Sequence, residues 1–332
     1  MNTMLQHHYC GKITACHSYG LLGTFFSAIN TTDFLLFEAL SGVPYGVFSQ
    51  ANDANRLLGP WIDPDQGMDH ALDTLGIEYE LVTRAVDADA SEALEHLRQW
   101  LTQGLVLLGP LNMNALPYLY YAHLFRNCDH YLIALKGDKN RFLVRDSEGY
   151  DMAWINEHDL TKAWRGDNIP EGRGGFIMRR LTDTQCPLQI ENHMVLNGLI
   201  YAAKLLQASS SSERGGSQAY AFIASEEASI LVWPAACRSL SYLLPTRMQR
   251  NLTACILLER VGLAAPYLAN EIDRAKAITL RQTFLLAQCL SHLRGKTQHG
   301  LQPLNEVAEL EDQLTIGYRQ MEEMVCDAAL II

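Results

Sequence analysis

Residues 130–146 read HYLIALKGDKNRFLVRD and carry the pattern of a β-hairpin. Two runs rich in apolar residues flank positions 137–140, whose Gly, Asp and Asn are typical turn residues. We therefore predict a β-hairpin in which His130 opens the first strand and Asp146 closes the second. Because the open ends of an antiparallel hairpin lie side by side, we expect His130 and Asp146 to be near neighbours.

The segments around this hairpin mix both kinds of secondary structure, whereas the sequence after residue 190 has mostly helical periodicity. The apolar and turn patterns predict strands at 78–82, 105–108 and 152–155, and helices at 16–29, 33–40, 65–75, 91–102, 156–164, 264–293 and 304–329. We predict an α+β domain over residues 1–182 and a mostly α-helical domain over residues 183–332. The serine-rich stretch 209–217 is typical of a flexible loop, and the long helices could supply a homodimer interface.

The composition indicates a folded globular protein. Of the 332 residues, 48% are hydrophobic and 19% are charged, which is unlike the composition of disordered chains. The formal net charge of −11 lacks the basic excess of nucleic-acid-binding proteins. The sequence has neither a secretory signal pattern nor an apolar run of membrane-spanning length, so we expect a cytoplasmic protein with no membrane contact.

The eight cysteines are scattered and include no C-x-x-C pair, which argues against a zinc ribbon and a thioredoxin-type site. Reduced thiols are the expectation in a cytosol. His7, His8 and Cys10 have the side chains of a metal site, but their spacing fits no standard arrangement. We expect neither a metal ion nor a bound cofactor.

Cys16 stands out because it begins a predicted helix, with Thr14 as the predicted N-cap. A helix N-terminus stabilises a thiolate and can donate to an oxyanion. His130 could accept the thiol proton, and Asp146 could hold the His130 ring in its useful tautomer. His17 is not expected to be this base, since adjacent helical residues point in different directions.

Several segments resemble the N-terminal region of the butirosin biosynthesis protein H family. They are CHSYGLL at 16–22, FEALSGVPYGVF at 37–48, GLVLLG at 104–109, DHYLIAL at 129–135, FLVRDS at 142–147 and the strand and helix at 154–164. This family is similar to the papain-like cysteine peptidases that process double-glycine leader peptides. The resemblance covers roughly residues 10–170, and the family also carries a mostly helical C-terminal region.

The resemblance implies a papain-like fold and a triad of Cys16 as nucleophile, His130 as base and Asp146 as the residue that orients the base. It also implies an acyltransferase of antibiotic biosynthesis. Such an enzyme moves an acyl or aminoacyl group from the phosphopantetheine arm of an acyl or peptidyl carrier protein to a small-molecule amine. The arm is then part of the substrate, and no resident cofactor is needed.

One departure from the papain-like pattern leaves alternatives open. Cys10 stands where papain-like enzymes place the glutamine of the oxyanion hole, and Gln6 lies further upstream. Cys10 is therefore a competing candidate nucleophile. The same triad would also serve a hydrolase (a peptidase, an amidase or a thioesterase), and without the oxyanion side chain the chain could be a non-catalytic scaffold.

Overall fold

The fold is described from a computed structural model of the chain. It describes residues 15–24, 31–50, 57–121, 128–167, 169, 174–182, 189–232, 234–295 and 300–329. The chain divides into two compact units, of which the first comprises residues 1–34 and 75–189 and the second residues 35–74 and 190–332.

Helices and strands are mixed up to residue 181, and the elements beyond it are helical. In chain order they are α1 (Cys16–Leu22), α2 (Thr31–Leu40), β1 (Val47–Phe48), β2 (Gly59–Pro60), α3 (Pro64–Thr74), β3 (Tyr79–Arg84), α4 (Ala90–Leu101), β4 (Val106–Asn112), β5 (Asp129–Asp138), β6 (Arg141–Asp146), β7 (Tyr150–Asn156), α5 (Glu157–Trp164), β8 (Gly175–Leu181), α6 (Asn192–Ser210), α7 (Gly216–Ser225), α8 (Glu227–Val232), α9 (Pro234–Ala264), α10 (Ala269–Gly295) and α11 (Pro303–Ala329).

The first unit is built on a six-stranded antiparallel sheet with the spatial order β3-β8-β4-β5-β6-β7. Alternate residues of its strands face opposite sides. On one side, α4 and α5 cover a core that includes Leu132, Ala134 and Val144. On the other side, α1 packs against β5 and β4.

Close packing of α1 on the sheet depends on Gly20. A Cβ atom at this position would lie 2.5 Å from Cδ1 of Leu107 and 3.9 Å from Cβ of Tyr131. The missing side chain thus lets the first helix lie directly against the two central strands, which brings its N-terminal residue Cys16 to the start of β5.

The predicted hairpin is confirmed, with a shift in its turn. Asp138 pairs with Arg141, so the strands extend into the predicted turn and leave only Lys139 and Asn140 between them. The predicted cap at Asn156 is also confirmed, because its side chain accepts a hydrogen bond from the Asp159 amide at 2.8 Å. The helix predicted at residue 91 instead begins at Ala90, and Asp89 is its N-cap.

The second unit is helical apart from the short antiparallel pair β1 and β2. Its core contains a buried ionic group around Arg247. Arg247 donates to the Tyr220 hydroxyl at 2.9 Å and to the carbonyl of Pro44 at 2.6 Å, and lies 3.5 Å from the Glu311 carboxylate. Arg247 therefore joins α9, α7, α11 and the turn after α2.

Two expectations differ from this arrangement. Residues 35–74 pack with the helical unit, whereas the predicted boundary between residues 182 and 183 placed them in the first domain. The serine-rich stretch is not a flexible loop in its first half. Ser209 is buried, donates to the Val47 carbonyl at 2.8 Å and accepts from the Gly216 amide at 2.8 Å, so packing and hydrogen bonds override the local composition.

None of the helices in the described part of the chain combines the length and the apolar character needed to cross a bilayer. Within the same residues, no group of three or more His, Cys, Asp or Glu side chains is arranged to hold a metal ion.

The bulge in β4 generates the first testable prediction. Gly109 lies between Leu108 and Leu111, where the pairing with β5 shifts, and it has a φ of 144°. A Cβ atom there would lie 2.7 Å from the carbonyl oxygen of His130. We expect Gly109→Ala to destabilise the protein by about 2–3 kcal/mol, because strain and a backbone clash add.

Urea unfolding, followed by a probe in the sheet unit, measures this loss. Gly104→Ala is the matched control, since a Cβ atom at that position has no neighbour within 4 Å. Equal unfolding midpoints for the two variants would contradict the packing described for β4 and β5.

Candidate active site

His130 and Asp146 form the centre of the candidate site. Nε2 of His130 lies 2.8 Å from Oδ1 of Asp146, and both side chains are buried. The predicted proximity is confirmed, although the two residues are not directly paired. Asp146 is opposite Leu132 in the register, and His130 reaches it diagonally because residues two apart on a strand share a face.

Cys16 is placed beside this pair by α1. The helix begins at Cys16, as predicted, with Ala15 as N-cap and no side-chain cap. The helix ends at Leu22, earlier than the predicted residue 29. Thr14, the predicted cap, and residues 25–29 lie outside the described residues. Cys16 is partly exposed and hydrogen-bonds to the His130 side chain. Since Nε2 of His130 faces Asp146, Nδ1 is the nitrogen left for the thiol.

The electrostatics favour an ion pair between Cys16 and His130. Burial alone would raise the pKa of the Cys16 thiol, but the His130 charge and hydrogen bonds hold it below its usual value of 9.0. Burial would likewise lower the pKa of His130, yet Asp146 and Cys16 raise it well above its usual value. Both shifts favour the thiolate and imidazolium pair over the neutral thiol and imidazole pair.

Two other thiols in the described part of the chain have pKa values above the usual value of cysteine. Burial raises the pKa of Cys255 to about 11 and that of Cys289 to about 12. Both remain protonated at neutral pH and pack as small apolar residues in the helical unit. Cys16 is therefore distinguished from them by its charged neighbours.

Asp146 is held by two further groups that the sequence did not indicate. The Tyr118 hydroxyl donates to Oδ2 at 2.8 Å, and the Glu148 amide donates to Oδ1 at 2.8 Å. The buried carboxylate thus accepts three hydrogen bonds. Burial would raise the pKa of Asp146, but His130 and these donors hold it below its usual value. The carboxylate is charged when His130 is charged.

A second tyrosine, Tyr121, makes the same kind of hydrogen bond to a carboxylate as Tyr118. Tyr121 donates its hydroxyl to the Glu148 carboxylate, so two tyrosines three residues apart hold two carboxylates two residues apart. The ring of Tyr118 also packs against Tyr150 at 5.2 Å between centroids. These contacts connect the segment after β4 to the turn between β6 and β7.

His17 also lies beside the thiol, although Asp146 holds the ring of His130 and not that of His17. Its side chain hydrogen-bonds to the Cys16 thiol and lowers the thiol pKa. The ring is buried and lies edge-on to Tyr131, with 6.0 Å between ring centroids. Consecutive residues of α1 therefore meet consecutive residues of β5: Cys16 meets His130, and His17 meets Tyr131.

Several sequence-based candidates fall outside the described residues. They are His7 and His8, proposed with Cys10 as metal ligands; Cys10 again as competing nucleophile; and Gln6 as a glutamine near the oxyanion position. Of the predicted site residues, the structure brings together Cys16, His130 and Asp146.

This arrangement is equipped for nucleophilic attack on a carbonyl carbon. A thiolate is available below the usual pKa of cysteine, and an imidazolium beside it carries a proton that a leaving group can take. The carboxylate fixes the orientation of the ring. The same three groups can in this way attack the carbonyl carbon of a thioester, an amide or a peptide.

Comparison with known proteins gives one informative match. The chain is 32% identical over 139 residues to the Bacillus subtilis (strain 168) protein whose title is "Uncharacterized protein YobF". The match covers 42% of this chain and 44% of the relative, so it spans less than half of either protein. No protein-family model matches the chain.

The hydroxyl of Tyr118 allows a sharp test of the site. We expect Tyr118→Phe to reduce the reactivity of Cys16 about ten-fold at pH 6, because Asp146 loses one of its three hydrogen bonds and stabilises the imidazolium less. The measurement is the rate of iodoacetamide alkylation of Cys16 as a function of pH. The acid limb should move to higher pH.

Tyr121→Phe is the matched control, since it removes the neighbouring hydroxyl, which donates to Glu148. Its alkylation profile should remain close to that of the wild type. Identical profiles for Tyr118→Phe and the wild type would show that Tyr118 does not position the triad.

Proposed function

We propose that this protein is a cysteine-dependent acyltransferase with a papain-like catalytic unit. The observation that carries the proposal is the hydrogen-bonded row formed by Cys16, His130 and Asp146. An antiparallel sheet with a helix that delivers the cysteine supports the papain-like assignment. The segments that resemble the butirosin biosynthesis protein H family include all three residues.

The first half-reaction forms an acyl-enzyme. The Cys16 thiolate attacks the carbonyl carbon of a thioester donor, with the N–H groups at the start of α1 as donors to the oxyanion. The bond between the carbonyl carbon and the donor sulfur breaks. The departing sulfur takes the proton of the His130 imidazolium, which leaves a neutral imidazole and an acyl-Cys16 thioester.

The second half-reaction transfers the acyl group to an amine. The amine nitrogen attacks the acyl-Cys16 carbonyl while His130 accepts a proton from that nitrogen. The bond to the Cys16 sulfur breaks, and an amide is released. The thiolate and the imidazolium are restored, so the enzyme returns to its starting charge state. Asp146 stabilises His130 in its charged form in each cycle.

The proposed donor is an acyl or aminoacyl group on the phosphopantetheine arm of a carrier protein, and the proposed acceptor is a small-molecule amine. These substrates come from the resemblance, which also places the reaction in antibiotic or other natural-product biosynthesis in the cytoplasm. If water replaces the amine as acceptor, the same row of residues gives a thioesterase, an amidase or a peptidase.

Intact-protein mass spectrometry tests the proposal directly. We expect the wild type, mixed with a panel of acyl-pantetheine thioesters, to gain the mass of one acyl group, and Cys16→Ala to gain none. Cys128→Ala is a matched control, because Cys128 is another partly exposed thiol close to His130 in sequence. It should be acylated as readily as the wild type.

The variant Cys10→Ala and the addition of amines decide between the alternatives. If the adduct persists in Cys16→Ala and vanishes in Cys10→Ala, Cys10 is the nucleophile and the proposed triad is wrong. Adding primary amines to the acylated enzyme then separates the reactions. Amide formation supports transfer, whereas a free acid at the same rate with and without amine indicates hydrolysis.

A further inference from the structure

The face that α9 and α10 share carries a patch of exposed apolar side chains. The two helices are joined by a short turn and pack against each other within the helical unit. Ten large hydrophobic side chains are exposed in the described part of the chain, and five of them belong to these two helices and their turn: Leu252, Leu263, Tyr267, Leu280 and Phe284. Exposed apolar surface is thus concentrated in one helical hairpin.

An ion pair shows how the two helices are aligned. Nζ of Lys276 on α10 lies 3.0 Å from the carboxylate of Glu259 on α9, so the two residues are at the same height and on the same face of the hairpin. Leu252 is seven residues before Glu259, and Leu263 is four residues after it. These spacings keep residues on one side of a helix, so the two leucines flank Glu259 on the shared face.

The exposed residues of α10 lie beside one end of this row. Leu280 is four residues after Lys276, and Phe284 is eight residues after it. At a rise of about 1.5 Å per residue, Phe284 is about 12 Å from the level of Lys276, and Leu252 is about 10 Å from it in the same direction, because the helices are antiparallel. Leu252, Leu280 and Phe284 therefore form one end of the patch.

The patch is large for a surface that faces water. Five large side chains that are each about half exposed or more present on the order of 500 Å² of apolar surface, and the largest patch of a typical monomer is about 300–600 Å². A standard protein interface takes roughly 800 Å² from each partner. The patch with its polar rim therefore has the area of one side of such an interface.

The charges around the patch indicate the kind of partner. Lys276 pairs with Glu259 on one side of α10, and Arg281 pairs with Glu306 of α11 on the other side at 2.8 Å. These ion pairs contribute equal numbers of both signs, whereas an anionic bilayer or a nucleic acid requires a basic excess. A matching partner is itself an apolar surface bordered by both signs of charge.

We propose that a second copy of this chain covers the patch, with α9 of each copy against α10 of the other around a two-fold axis parallel to the helices. Because Glu259 and Lys276 are at the same height, this arrangement places Glu259 of each copy opposite Lys276 of the other. It also places Leu252 of each copy opposite Leu280 and Phe284 of the other. The inference concerns assembly and is independent of the proposed acyl transfer.

Sedimentation equilibrium of the full chain tests the patch. We expect the wild type to dimerise at micromolar concentration and Phe284→Glu to raise the dissociation constant about 100-fold, because each dimer would then bury two unpaired carboxylates. Phe284 is half exposed, so the monomer should keep its thermal unfolding midpoint. Ile316→Glu is the matched control, since it replaces an equally exposed residue of α11, and it should leave the dissociation constant unchanged.

Exchanged charges test the pairing of the helices. Glu259→Lys and Lys276→Glu each place like charges opposite each other in a homodimer, so we expect each variant to raise its own dissociation constant about ten-fold. A mixture of the two variants should form a heterodimer, because the two lysines of one chain meet the two glutamates of the other. Neither chain regains its internal ion pair in the mixture, so the recovery must come from contact between copies.

Native mass spectrometry of the mixture, with one variant labelled with heavy nitrogen, measures the heterodimer. A wild type that stays monomeric at every concentration overturns the inference and leaves the patch to a different partner. A dimer that Phe284→Glu leaves intact places the interface elsewhere, and a mixture that dimerises no better than the single variants refutes the pairing of α9 with α10. If Phe284→Glu does not fold, the mixture still decides.

Discussion

The buried charges of His130 and Asp146 are the constraint on which the site depends. A carboxylate in a protein interior is tolerated only when its oxygens accept hydrogen bonds and an opposite charge lies nearby. Asp146 satisfies both conditions through His130, Tyr118 and the Glu148 amide. The imidazolium gains the same protection from Asp146 on one side and the Cys16 thiolate on the other, so the three groups stabilise one another's charged forms.

This mutual dependence explains why distant segments converge on one end of the sheet. The pairing of β5 with β6 brings His130 to Asp146, and the segment after β4 supplies Tyr118. The nucleophile comes from α1, which reaches the start of β5 because Gly20 permits close packing. Each element alone would leave an isolated charge or thiol in a partly apolar setting, and only their combination places the imidazole and the carboxylate beside the thiol.

The hairpin and its polar ends could be predicted from sequence because strand alternation and turn composition are local signals. The same signals predicted that Asp146 lies near His130. In the structure Asp146 is opposite Leu132, so the two residues are diagonal neighbours across the strand pair. Tyr118 and His17 could not be found this way, since their roles depend on a loop path and on the rotation of α1 over β5. The packing of residues 35–74 with the helical unit was missed for the same reason: it is set by contacts between segments far apart in sequence, such as that of Arg247 with Pro44.

In the proposed reaction, the three residues of the triad do not determine whether an amine or water accepts the acyl group. An acyl-Cys16 thioester is open to attack by both, and the triad does not distinguish them, because His130 accepts a proton from either. Selection must therefore come from groups that raise the local concentration of one acceptor. In the proposed acyl transfer, this selection is separate from the chemistry of the triad, so a substitution that changes the preferred acceptor need not change the reactivity of Cys16.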